Sequence, residues 1–249
     1  MEKVITKIKI GVLGLNKLGE ATLNIINNSL QKEYLYKILY LDKILHDSDF
    51  NTTSESYSNI DIIEQEFEYL HICIVIADFI ESKEDVIYIL NKLKEKNIIT
   101  ILLGTNISSA EINDFSLCYT DIKDNIEEYA ATITLSIATL YNTSNDNQLD
   151  YQDLNYFFNT NKQLYFGMGY SSDIYVVTNN VLNHPLYFNE LVRIKNVLIY
   201  ITSNKLSTDD ILLINDSVIP KGLEKIKIKN ITTSNISFKD NVLVVVFAA

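Results

Sequence analysis

Residues Leu70–Ala77 read Leu-His-Ile-Cys-Ile-Val-Ile-Ala, an apolar run of strand length broken only by His71. A sheet with one wet face would alternate polar and apolar residues, so a continuous run demands cover on both faces. Amphipathic helices can supply that cover. Gly19–Leu30 places Ala21, Ile25 and Ile26 on one side, and Lys83–Lys96 spaces Val86, Ile87, Leu90 and Leu93 at helical intervals. Strand patterns at Lys7–Leu13, at Tyr36–Leu41 before Asp42, and at Ile98–Leu103 before Gly104 complete an alternation of strand and helix. Such alternation predicts a parallel sheet with right-handed crossovers.

Beyond this half the texture changes. A long apolar stripe, Ile126, Ala130, Ile133, Ile137 and Leu140, predicts a helix over about Ile122–Tyr141, ended by the polar cluster Asn142–Asn147. A short helix at Gln152–Asn159 follows. Strands are then expected at Gln163–Met168, Val197–Thr202, Lys225–Asn230 and Asn241–Phe247, with helices at Ser172–Leu182 and Thr208–Val218. The expected organisation is a Rossmann-like domain over 1–121, a central helix and linker over 122–147, and a smaller α/β domain with a mixed sheet over 148–249.

The 249 residues carry a net charge of −11, which argues against nucleic acid, whose phosphates require a basic surface, and against direct binding to an anionic membrane. No apolar stretch is long enough to span a bilayer, and Met1-Glu2-Lys3 leads straight into a strand pattern without a signal-like core. Cytoplasmic residence is the expectation, with Cys73 and Cys118 as reduced core thiols. No His/Cys/Asp spacing matches a metal site, and no nucleophile elbow is present.

Glycine is the residue that lets backbone approach a phosphate, and this chain has only seven, none between Gly19 and Gly104. After the first strand, Gly14-Leu15-Asn16-Lys17-Leu18-Gly19 keeps two outer glycines around bulky residues. The spacing approximates G-x-G-x-x-G, and Asp42 stands about 20 residues on, where a dinucleotide-binding acid belongs. An NAD(P)-dependent oxidoreductase is therefore one reading. Asn16 occupies the position where backbone must meet the pyrophosphate. His46, His71 and His184 read as structural or incidental, and no catalytic His, Lys or Tyr constellation accompanies the motif.

The order of elements resembles the tubulin/FtsZ superfamily. Ile137-Ala138-Thr139-Leu140, then Gln148-Leu149-Asp150-Tyr151-Gln152-Asp153-Leu154, is similar to the stretch around that family's synergy loop. Leu164–Ser172, Asn196–Thr202 with Leu206–Asp210, and Asp240–Ala248 resemble its C-terminal strands and helix entries in the same order. The resemblance implies a cytoskeletal, cell-division type of protein whose filaments join head to tail. It also implies that Asp150 and Asp153, with Gln148, act in trans on the next subunit's nucleotide. Gly14, Asn16 and Gly19 then stand at the first phosphate loop, and Glu128 at a guanine-contacting position.

The family's second phosphate loop is a run of glycines. Here it reads Ala77-Asp78-Phe79-Ile80-Glu81-Ser82-Lys83. Asp78 and Glu81 would put carboxylates at a helix N-terminus, where they cap the helix and repel phosphate. The expectation is a protein with no cofactor, leaning away from enzymatic activity, that forms, caps or modulates filaments by contact with itself or with an FtsZ-like partner. The alternative within the family is a weakly GTP- or GDP-binding, polymerising GTPase. Asp150 and Asp153 also read simply as the start of a helix, and Glu128 as a solvated helix carboxylate. The chain ends at Phe247-Ala248-Ala249, so no tail for membrane adaptors is expected.

Overall fold

A computed structural model describes residues 8–41, 67–115, 117–142, 152, 157–158, 162–187, 194–219 and 227–249. The long apolar run forms β3 (Ile72–Asp78), buried from Ile72 to Ala77. It pairs in parallel with β1 (Ile10–Leu15) on one side and β4 (Ile99–Thr105) on the other, matching Ile74 to Val12 and to Ile101. β2 (Lys37–Leu41) flanks β1, and β5 (Leu117–Asp121) flanks β4, both also parallel. The order is β2-β1-β3-β4-β5, with the two-residue β6 (Lys162–Gln163) beyond β5.

Strand β5 is absent from the sequence reading. Leu-Cys-Tyr-Thr-Asp is only five residues long and turns polar at its end, and its pairing with β4, Leu117 opposite Thr100, makes it a strand. The ladder also delays the next helix. Ile122 donates its N–H to the Gly104 carbonyl at 2.7 Å, extending the β4–β5 pairing, and Asn125 takes a left-handed φ of 46°. The central helix therefore starts at Ile126 rather than Ile122.

Helices cover both faces, as the apolar strand required. α1 (Asn16–Asn27) buries Gly19, Thr22, Leu23 and Ile26, and packs on β1, β3 and the central helix α3 (Ile126–Asn142). On the other face α2 (Lys83–Glu95) buries Val86, Ile89, Leu90 and Leu93 against Leu13, Cys73, Val75 and Leu102.

Contacts divide the chain into two units, Met1–Asn142 with Tyr151–Lys162, and Thr143–Asp150 with Gln163–Ala249. Packing of α3 on α1 groups the central helix with the first unit. The short helix expected at Gln152–Asn159 lies mostly outside the described residues.

The second unit is built on a mixed sheet in the order β7-β10-β8-β9. β10 (Val242–Ala248) runs antiparallel to β7 (Tyr165–Ser171) and to β8 (Asn196–Ser203), while β8 and β9 (Lys227–Ser234) are parallel. Every residue of β8 is buried. α4 (Ile174–Leu182) is capped by Asp173, which accepts from the Tyr175 N–H at 2.8 Å. α5 (Thr208–Val218) opens with a capping box between Ser207 and Asp210, a device that stabilises a helix end by about 1 kcal/mol. Both helices pack on one face, Val177, Val181, Ile214 and Val218 meeting Val197, Ile199 and Val244. The Gly-x-Gly of β7 has a packing role here: a Cβ on Gly169 would lie 2.1 Å from the Val177 carbonyl oxygen of α4.

Candidate functional site

In an open parallel sheet ligands bind beyond the carboxyl ends of the strands, where the strand order reverses. In the order β2-β1-β3-β4-β5 that point lies between β1 and β3, so the β1–α1 and β3–α2 turns frame the crevice. The sequence-predicted residues Gly14, Asn16 and Gly19 fall at the β1–α1 junction, and Asp78, Phe79 and Glu81 at the β3–α2 junction.

The two glycines of the first turn face each other. A Cβ on Gly19 would lie 2.3 Å from the Gly14 carbonyl carbon, and one on Gly14 would lie 2.8 Å from the Gly19 oxygen. Helix α1 thus meets β1 backbone to backbone, and both positions must lack a side chain whatever the crevice holds. Asn16, the first residue of α1, has φ 46°, a conformation that Asn tolerates better than most residues. Its amide Nδ2 donates to Ser82 Oγ on the second turn. Its Oδ1 is buried with no hydrogen-bond partner among the described residues.

The second turn is organised by Asp78. Its Oδ1 accepts the N–H groups of Ile80 at 3.0 Å and Glu81 at 3.2 Å, while its Oδ2 accepts from Thr105 Oγ1 at 2.7 Å and Asn106 Nδ2 at 3.2 Å. Burial pushes this carboxyl up, but the Thr105 hydroxyl, the Glu81 and Ile80 N–H groups and the Asn106 amide outweigh it and hold the group below its ordinary range. Phe79 is buried in the core cluster under α2, and its N–H donates to the Thr105 carbonyl at 3.0 Å. Glu81 is exposed, and Glu84 and Asp85 occupy the first turn of α2, so the rim is acidic. The Asp78 carboxylate therefore already engages two main-chain N–H groups of this turn, and its other oxygen is turned to the end of β4.

Glu128 is exposed in the first turn of α3, a place where a carboxylate complements the helix dipole. Gln148, Asp150, Asp153, Asp42 and His46 lie outside the described residues. His71 sits at the opposite, amino end of β3, with its Nδ1 accepting from the Lys9 N–H at 3.1 Å; burial, then the Lys9 charge, lowers its pKa. His184 accepts from the Leu186 N–H at 3.3 Å, and its ring meets Phe166 edge-on with centroids 5.1 Å apart. Burial lowers the His184 pKa too. Both histidines serve local structure, as the sequence suggested. Cys73 is fully buried, which pushes its thiol up to about 12, and Cys118 directs its sulfur to the Phe157 carbonyl at 3.8 Å. Among the described residues no cluster could hold a metal ion, and no helix is long and apolar enough to cross a membrane.

Sequence reasoning missed Ser82, Thr105 and Asn106 as partners in this site. Asn16 and Ser82 stand 66 residues apart, and no local pattern joins them.

No protein-family model matches the sequence, and no characterised relative is found through it. Solved structures do match. An empty FtsZ dimer from M. jannaschii superposes with a TM-score of 0.67 at 12% identity, covering 98% of this chain and 88% of that one. TubZ of Bacillus thuringiensis serovar israelensis, in GDP-form protofilaments, gives 0.63 at 12% identity, covering 98% and 84%. TubZ of Clostridium botulinum phage c-st gives 0.56 at 14% identity, covering 96% and 92%. With its parallel sheet and mixed second sheet, and matches of this kind over nearly its whole length, the chain has the fold of the tubulin/FtsZ superfamily.

Proposed function

We propose that this protein is a filament-associated member of the tubulin/FtsZ fold that has given up triphosphate binding and works through protein contacts alone. The observation that carries the reading is the Asp78 turn. A phosphate bound there would need the Ile80 and Glu81 N–H groups, which Asp78 already holds. Two like charges a few ångströms apart cost about 1–4 kcal/mol per pair between the dielectric limits of water and a protein surface. Asn16 adds a second obstacle by tying α1 to α2 across the mouth of the crevice. The same tie stands where a dinucleotide pyrophosphate would lie, which disfavours the oxidoreductase reading.

The protein-contact part rests on the fold. Its matches include an FtsZ dimer and TubZ protofilaments, assemblies built by repetition of one chain. Head-to-tail contacts of this type can continue indefinitely. In this reading Asp150 and Asp153, with Gln148 beside them, face a neighbouring subunit, and the chain assembles with itself or caps and modulates a filament of an FtsZ-like partner. It acts in the cytoplasm without a cofactor and without nucleic acid or membrane as direct ligand.

The test is the nucleotide content of the purified protein. Denaturation followed by ion-exchange chromatography is expected to release no guanine nucleotide, and equilibrium dialysis is expected to show no saturable uptake of GTP or GDP. Micromolar uptake would replace this reading with that of a binding, slowly polymerising GTPase. Titration into polymerising FtsZ then checks the partner, with altered GTP turnover as the expected result.

A further inference from the structure

Strand β9 ends the second sheet on one side, and its register with β8 runs from Lys227 to Ser234 without a bulge. In a parallel ladder alternate residues turn both backbone groups to the neighbour, and the rest turn theirs away. The Lys227 N–H donates to the Lys195 carbonyl at 2.8 Å, and the Asn235 N–H to the Ser203 carbonyl at 3.0 Å, so the odd-numbered residues bond to β8. Ile228, Asn230, Thr232 and Ser234 therefore turn their N–H and carbonyl groups outward. None of these groups has a partner among the described residues. Proline, a bulge or a very short strand would blunt such an edge, and β9, at eight residues, has none of them. Only Lys227 and Lys229 discourage pairing, and they do so where a like charge is set opposite.

The edge is complementary to itself. Antiparallel pairing with β9 of a second copy, centred on Ile231, sets Ile228 opposite Ser234 and Asn230 opposite Thr232, so every outward group meets another. Lys229 falls opposite Thr233 and Lys227 opposite Asn235, and no lysine faces a lysine. The same register joins two further features. Ile228 is 46% exposed on the face of the sheet that carries α5, since it pairs with Val197 of the core cluster there. At the far end of β9 a cavity of about 660 Å³ opens beside α5, lined by Thr232 and Ser234 with Leu206 and Ile211 as its apolar wall. Ile228 of the second copy, opposite Ser234, stands at the mouth of that cavity, and the two-fold axis repeats the contact at the other end.

We propose that β9 pairs antiparallel with β9 of a second copy about Ile231, making one continuous sheet through both chains, with Ile228 of each seated in the cavity beside α5 of the other. The backbone supplies the hydrogen bonds, and the exposed isoleucine fixes the register. The contact is isologous and closes at two chains, unlike a head-to-tail contact, which repeats without end. It lies wholly on the second unit and does not depend on what the crevice of the first unit holds.

Sedimentation velocity of the full chain, over a concentration series, tests this. Wild type is expected to dimerise. Asn230→Pro removes only an outward N–H and leaves the β8 ladder intact. It is expected to weaken dimerisation by about tenfold or more, with unchanged circular dichroism. Disulfide trapping reads the register independently. Asn230→Cys and Thr232→Cys, oxidised as a mixture, are expected to crosslink between chains, because opposite residues lie about 5.5 Å apart between Cα atoms. Either variant alone sets its cysteines diagonally, about 7–8 Å apart, and is expected to crosslink little. A wild-type chain that stays monomeric at the highest soluble concentration overturns the proposal and leaves the edge to a strand of another protein. Dimerisation that Asn230→Pro leaves intact overturns it too, as does a mixture that crosslinks no better than either variant alone. None of these results bears on nucleotide content, so failure here and failure of the triphosphate reading are told apart.

Discussion

Asn16 donates its side-chain amide to the Ser82 hydroxyl, joining the first residue of α1 to the N-cap of α2 across the switch point of the parallel sheet. The bond is made by a residue at φ 46°, so its backbone and side chain are specified together.

Replacement at this position separates the two requirements. Asn16→Gly keeps access to the left-handed region but loses the bond, which is worth about 0.5–1.5 kcal/mol. Asn16→Ala loses the bond and adds a left-handed penalty of roughly 1–2 kcal/mol. Urea unfolding should rank wild type above Gly and Gly above Ala. Equal stability of the two variants would contradict the assigned backbone.

Gly19 lies within α1, where alanine ordinarily stabilises a helix by about 0.4–1 kcal/mol. The sign reverses here, because a Cβ would lie 2.3 Å from the Gly14 carbonyl carbon. Gly19→Ala is expected to destabilise by about 1–3 kcal/mol, the range for overpacking. Chemical denaturation of the single variant is sufficient to see it.

Asp78 gives a pH signature. Its folded-state pKa lies below the unfolded value, so its contribution is present above the ordinary carboxylate range near about 4 and is lost as pH falls through the folded value. Asp210 is held low in the same way by the Ser207 hydroxyl and N–H. Asp78→Asn should therefore reduce stability at neutral pH and flatten the acid side of the profile. Thermal midpoints measured from neutral pH downward test both, and parallel curves for variant and wild type would refute the assignment.

Cys73 is fully buried and its thiol is pushed up to about 12, so it is overwhelmingly protonated at neutral pH. Cys118 is buried as well. Under native conditions an aromatic disulfide reagent should label neither within the time that labels both in denaturant. Rapid native labelling would mean that the core opens far more often than its packing implies.

Most of the architecture was legible because its signals are local. The uninterrupted run of β3 required cover on both faces, and α1 and α2 provide it. α5 begins and ends where the sequence places it, since Ser207 and Asp210 form a complete capping box within four residues. What escaped was non-local. β5 is a strand because β4 lies beside it, and β9 extends through Thr232, Thr233 and Ser234 because β8 pairs with it to Ser203. The candidate site divides likewise. The carboxylates of Asp78 and Glu81 were expected to cap the helix, but its N-cap is Ser82, and Asp78 instead holds the Ile80 and Glu81 N–H groups of the turn, with Thr105 and Asn106 reaching it from the neighbouring strand's end.

The mutual contact of Gly14 and Gly19 makes the seating of α1 on β1 by itself enough to require glycine at both positions, since a side chain at either would meet the other's backbone. A glycine pair of this kind reports the geometry of a strand–helix junction rather than the approach of a ligand.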